Sequence, residues 1–164
     1  MKFNAKFWLK FSLVNLLIVA LIGLLMRYKI GFYFPFLDQK HLQHSHSHFA
    51  FSGWISHTLM VLMVAFLGKK GLRKKELENG FGVYNKILIA NLICAYGMLV
   101  FFIIQGYGAF SILFSTGSII VSCFFGYYFL VYFPITLFHK EVTWNKAMNI
   151  FINTIIAKRF KNMN

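Results

Sequence analysis

Four apolar runs, residues 7–26, 48–67, 87–105 and 110–133, leave this chain little choice of solvent. A bilayer core takes about 20 helical residues to cross, and each run is close to that length and nearly free of charge. With 59% hydrophobic and 20% aromatic residues, the chain lacks the polar surface that a water-soluble domain of its size requires. The expectation is an all-α polytopic membrane protein. A four-helix transmembrane bundle would fill residues 1–138, and a cytoplasmic amphipathic tail would follow over 139–164. The opening MKFNAKFWLK has the basic and apolar parts of a signal peptide, yet MRYKIGFYF follows the run in place of small residues suited to cleavage. A retained first helix is expected.

The net charge of +13 would suggest nucleic acid in a soluble protein. Its placement gives another answer. If the first helix enters from the cytoplasm, one side of the membrane receives Lys2, Lys6 and Lys10, then Lys69, Lys70, Arg73, Lys74, Lys75 and Lys86, then Lys140, Lys146, Lys158, Arg159 and Lys161. The other side receives only Arg27, Lys29 and Lys40. This bias puts both termini in the cytoplasm, with the lipid bilayer and no nucleic acid as the partner of the cations. The four carboxylates, Asp38, Glu76, Glu78 and Glu141, all fall outside the apolar runs, which argues against an enzyme for a soluble substrate.

Between the runs, RYKIGFYFPFLDQK crosses the outer face, GKKGLRKKELENGFG reads as a solvated and mobile inner loop, and GYG reads as a tight outer turn. Pro134 marks the expected end of the fourth helix. Beyond it, Trp144, Ala147, Met148, Phe151, Ile152, Ile155 and Ile156 share one helical face, the pattern of an amphipathic helix on the membrane or the start of a fifth span. Cys94 and Cys123 form no redox or metal motif and read as buried, unpaired thiols. Asn15, Asn91 and Gln105 lie within apolar runs and are candidate partners between helices.

The concentrated chemistry is histidine. His41, His44, His46, His48 and His57 fall within seventeen residues, and only His139 lies elsewhere. In an α-helix His46, Ala50, Gly53 and His57 share one stripe whose small middle members leave room for a flat cofactor or for a neighbouring helix. His46 and His57 would be roughly 16 Å apart along the axis, too far to share one metal ion. His46 suits axial ligation of haem iron, and it equally suits an interfacial imidazole bonded to water. His44 and His48, one turn apart, can chelate Zn or Cu if a third ligand such as His46 arrives, or simply face water. His57, deep in the second run, is either a functional ionisable group or a neutral imidazole bonded within the bundle.

The order of features resembles a known family. A first helix ending in LLMRYKIG, an outer loop containing PF, and HSHFAFSGW opening the second helix are similar to the N-terminal four helices of the haem-copper oxidase subunit I superfamily, above all its divergent bacterial members. The resemblance implies a bacterial inner membrane, haem held by His46, with His44 or His48 as alternatives in the same motif, and a role in electron transport. It covers residues 12–67 best. The later helices that carry the family's other haem ligands and its copper site have no counterpart here, so the chain is not a complete oxidase. A second haem ligand would have to come from Met98, from a second copy in a homodimer, or from a further oxidase-like membrane subunit. The alternative is a non-enzymatic membrane protein, or a truncated product, whose outer histidines bind Zn or Cu weakly.

The charge argument has a direct check. An impermeant amine reagent applied to intact cells should spare Lys69, Lys70, Lys74 and Lys75 and reach Lys40; labelling of the inner four from outside would invert the orientation.

Overall fold

The computed structural model describes residues 3–69 and 74–130, with residues 69 and 74–81 as backbone only. The expected helix end at Pro134, the domain limit at 138, His139 and the amphipathic tail lie outside the described residues. Within them, α1 (Ala5–Gly31) leads through a short loop into α2 (Gln39–Phe49). A π-helical segment (Ala50–Ser56) then joins α2 to α3 (His57–Lys69). α4 (Lys74–Gln105) and α5 (Ala109–Leu130) follow. Four helical spans are long and apolar enough to cross a membrane: α1, the continuous rod Gln39–Gly68, Gly82–Gln105 and α5.

The spans match the four expected runs, with three differences at their ends: the first runs to Gly31 where Arg27 was the expected end, so the start of the expected loop is helical. The second begins at Gln39 instead of residue 48, because Asp38 caps it: the Asp38 carboxylate accepts from the His41 backbone N–H at 3.0 Å. That bond holds the Asp38 carboxyl below its ordinary value. Its contribution to the helix is therefore present above the unfolded carboxylate pKa and lost as acid protonates the folded group. The expected inner loop is also shorter, since α4 is helical from Lys74 onward. The outer loop is tied down by Lys29, whose ammonium donates to the carbonyls of Phe34 and Leu37.

Packing is arranged for lipid. On α1 the exposed face carries Leu13, Leu17, Leu21 and Leu24, while the buried face carries Trp8, Ser12, Asn15 and Val19. Across the bundle the interior likewise encloses Ser45, Ser52, His57, Asn85, Asn91, Ser111 and Ser118. This distribution suits a solvent as apolar as leucine, in which polar side chains gain by meeting one another inside. An apolar cluster around Val61, Val64, Leu88 and Phe125 fills one part of the core, and Val19, Phe49 and Ala95 fill another. At Gly97 a β-carbon would run into the Phe114 ring, so glycine sets the close approach of α4 and α5. α4 ends where Gly106 takes a φ of 61°, a conformation that glycine adopts without strain.

The π segment is the irregular part of the second span. Bonds from i to i+5 widen the turn and leave backbone groups in need of partners, a costly situation in hydrocarbon. Two neighbouring helices supply them. Asn15 of α1 donates its side-chain amide to the Gly53 carbonyl, and Asn91 of α4 donates to the Ser52 carbonyl at 3.0 Å. Asn15 is itself fixed, because the Tyr96 hydroxyl donates to its Oδ1 at 2.7 Å. The interhelical role expected of Asn15 and Asn91 is thus specific: each caps a carbonyl of the π segment.

Replacing Asn15 by Leu should cost about 1 kcal/mol of stability in a detergent unfolding titration, in line with interhelical hydrogen bonds in membranes. Asn91→Leu should cost less, because Asn91 Oδ1 is buried without a partner and its loss is a gain. Equal losses at the two sites would count against this account.

Candidate functional site

The histidines of the second span divide between two faces. Residues two apart on a helix do not face the same way, so His44 and His46 diverge. His41, His44 and His48 turn toward the outer end of α4 and the turn after it. His41 lies where a β-carbon on Gly106 would sit. His44 meets the Tyr107 ring edge-on at 4.6 Å, and His48 stacks on Phe102 at 4.4 Å with the planes 10° apart. His46 turns instead to α1, where its Cε1 comes within 3.3 Å of the position a β-carbon on Gly23 would take. Its Nδ1 is enclosed and has no hydrogen-bond partner among the described residues.

This division separates the expected metal ligands. His44 and His48 share a face, but His46 does not join them, and among the described residues no three His, Cys, Asp or Glu side chains converge as a metal site. The stacking of His48 on Phe102 explains part of the difference. An imidazole held flat against a ring by packing is directed by that ring and not by a shared ion.

The expected stripe His46, Ala50, Gly53 and His57 does lie along one neighbour, and the neighbour is α1. His46 rests on Gly23, Ala50 packs with the cluster around Val19, Gly53 receives Asn15, and His57 meets Trp8 with ring centroids 5.7 Å apart. Of the two occupants that small residues at 50 and 53 allow, the structure holds the helix. Gly53 has a local reason too: a β-carbon there would lie 2.8 Å from the Phe49 ring, so the π segment packs against its own preceding turn. His57 is fully buried, and among the described residues neither Nδ1 nor Nε2 has a partner. Trp8, which meets His57, and Gly23, which meets His46, lie far apart on α1, and the two histidines, eleven residues apart on their own span, are roughly 16 Å from one another along it, too far to act on one ion.

Several members of the site were not foreseen. Phe102 and Tyr107, which shape the outer histidine face, look in sequence like ordinary bundle aromatics. The π segment has a fainter signal, since Ser52 and Thr58 donate to the carbonyls four residues back, His48 at 2.7 Å and Trp54 at 2.6 Å, a habit that bends helices. The cysteines depart from expectation: both are unpaired, but Cys123 points out of the bundle and Cys94 is only half-buried, beside Gly117.

No protein family, characterised protein or solved structure matches the chain. The functional argument therefore rests on these residues.

The unbonded state of His57 makes a sharp prediction. His57→Leu exchanges a buried imidazole without hydrogen bonds for an apolar side chain, and should leave stability unchanged or raise it by about 1 kcal/mol. A clear loss in the same unfolding titration would mean that its nitrogens bind something in the working protein.

Proposed function

We propose that the chain is a membrane electron-transfer subunit in which His46 ligates haem at a contact with a partner, in a bacterial inner membrane with both termini cytoplasmic. One observation carries the reading: His46 is a half-buried imidazole whose Nδ1 is sealed and unbonded, so the ring is oriented by packing against Gly23 and not by a hydrogen bond. A ligating histidine usually has its second nitrogen oriented by a hydrogen bond, and here packing against α1 would take that role. The likeness of HSHFAFSGW to the haem-copper oxidase subunit I motif adds to it.

α1 occupies the groove beside Ala50 and Gly53, with Asn15 reaching across it, so a haem does not fit between the two helices. The reading therefore puts haem at the outer edge of His46, between this chain and another, where a second copy or a further membrane subunit would bring the second ligand. Haem bound there would supply reversible one-electron chemistry; His46 would supply ligation and orientation. Neither oxygen reduction nor a copper site is part of the proposal.

A second reading is favoured by a separate observation. His44 and His48 lie one turn apart and both meet Tyr107, which makes a two-imidazole outer face able to hold Zn or Cu weakly.

Reduced-minus-oxidised visible spectra of the protein purified in mild detergent from native membranes separate the two. A haem band should disappear in His46→Ala and persist in His44→Ala and His48→Ala. A preparation without haem from haem-replete cells, or a band indifferent to His46, overturns the first reading. Zn or Cu binding lost with His44 and His48 but not with His46 would put the second in its place.

A further inference from the structure

A second site lies at the other end of the bundle, between α1 and α4, and it is independent of the histidines. A groove of about 580 Å³ runs between the two helices, walled by Phe7, Trp8 and Phe11 on one side and by Ile89, Ile93 and Tyr96 on the other. Its floor is closed by hydrogen bonds. The Trp8 indole donates to Asn85 Oδ1 at 2.9 Å, and the Tyr96 hydroxyl donates to Asn15. With these polar atoms paired to one another, the groove offers apolar surface along its length. From Asn85 to Tyr96 it extends eleven residues of helix, about 16 Å. That is about half of the ~30 Å hydrocarbon core, the depth one acyl chain reaches from the headgroup layer.

Lysines flank the Asn4 and Asn85 half of the groove without lining it: Lys6 and Lys10 neighbour the α1 wall residues Phe7 and Phe11, Lys86 follows Asn85 directly, and all three are exposed. Their long side chains can lay their stems on the apolar lips and carry their ammonium groups to the headgroup layer. Apolar channel and cationic mouth together select one class of occupant. We propose that this groove is a binding site for an anionic phospholipid, with one acyl chain between α1 and α4 and its phosphate held by Lys10 and Lys86. A zwitterionic lipid would fill the channel but gain little at the mouth, and a second copy of the chain would bring the same positive charge to it.

Trp8 reports on the groove directly. In the full chain carrying Trp54→Phe and Trp144→Phe, Trp8 is the one remaining tryptophan. The protein is reconstituted into vesicles of fixed phosphatidylglycerol and phosphatidylcholine content, in which either one lipid or the other is brominated. Quenching should need about fivefold less brominated phosphatidylglycerol than phosphatidylcholine, the preference that one lysine near the surface supplies, or more if both lysines act. Lys10→Gln with Lys86→Gln should equalise the two lipids, and Lys40→Gln at the opposite end should change nothing. Equal quenching of the unsubstituted lysine protein by both lipids would reduce the groove to ordinary annular contact. Absence of quenching by either would mean that protein covers it, and a preference that survives the double substitution would remove Lys10 and Lys86 from the site. Each of these three results overturns the proposal.

Discussion

The bundle is organised around two backbone carbonyls. In hydrocarbon an unpaired peptide group costs several kcal/mol, and the π segment of the second span exposes the carbonyls of Ser52 and Gly53. Asn91 of α4 and Asn15 of α1 reach them. Those two bonds fix the heights of α1 and α4 against the second span, and Tyr96, donating to Asn15, links α1 to α4 as well. Apolar packing alone would give weaker register, because a leucine slides past leucine with little change in energy when lipid offers the same contact.

Once α1 is held at Asn15, its other contacts follow from helical spacing. Trp8 falls on His57, Val19 on the cluster with Phe49, and Gly23 on His46. The inner groove follows too: α1 and α4 are pinned at Asn15–Tyr96 and Trp8–Asn85, and between and beside these pins their aromatic and branched side chains leave the channel. The outer histidine face is a product of the other side of the same rod, where Ser45 donates to the Leu99 carbonyl at 2.8 Å and draws α2 against α4.

Much of this was legible in the residues. Run length and the absence of charge placed all four spans, since the cost of crossing lipid acts on each residue separately, though the second begins nine residues earlier than its apolar run. The inward stripe from His46 to His57 was legible as well, because two small residues a helical turn apart require something close by. What occupies that space was not. Both a planar ligand and a helix satisfy the same spacing, and the choice depends on Asn15 and Gly23, about thirty residues away in the chain. The start of the second span at Gln39 was missed because its first turns are polar; their helix is set by the Asp38 cap and by contacts with Phe102 and Tyr107, which no local pattern announces.

The histidines themselves illustrate how placement divides function. At the outer end of α2 the imidazoles alternate between faces, so crowding in sequence does not become crowding in space. His44 and His48 go to an aromatic wall, His41 goes to Gly106 beside it, and His46 goes alone to a glycine on α1. A metal ion rewards convergence of side chains, and the described residues lack it. A haem asks less of one chain: a single imidazole, held at a fixed angle, with the second ligand free to come from elsewhere. His46, half-buried at the end of its span, is the residue on which that smaller demand is proposed to fall, whereas His57 is fully buried against Trp8.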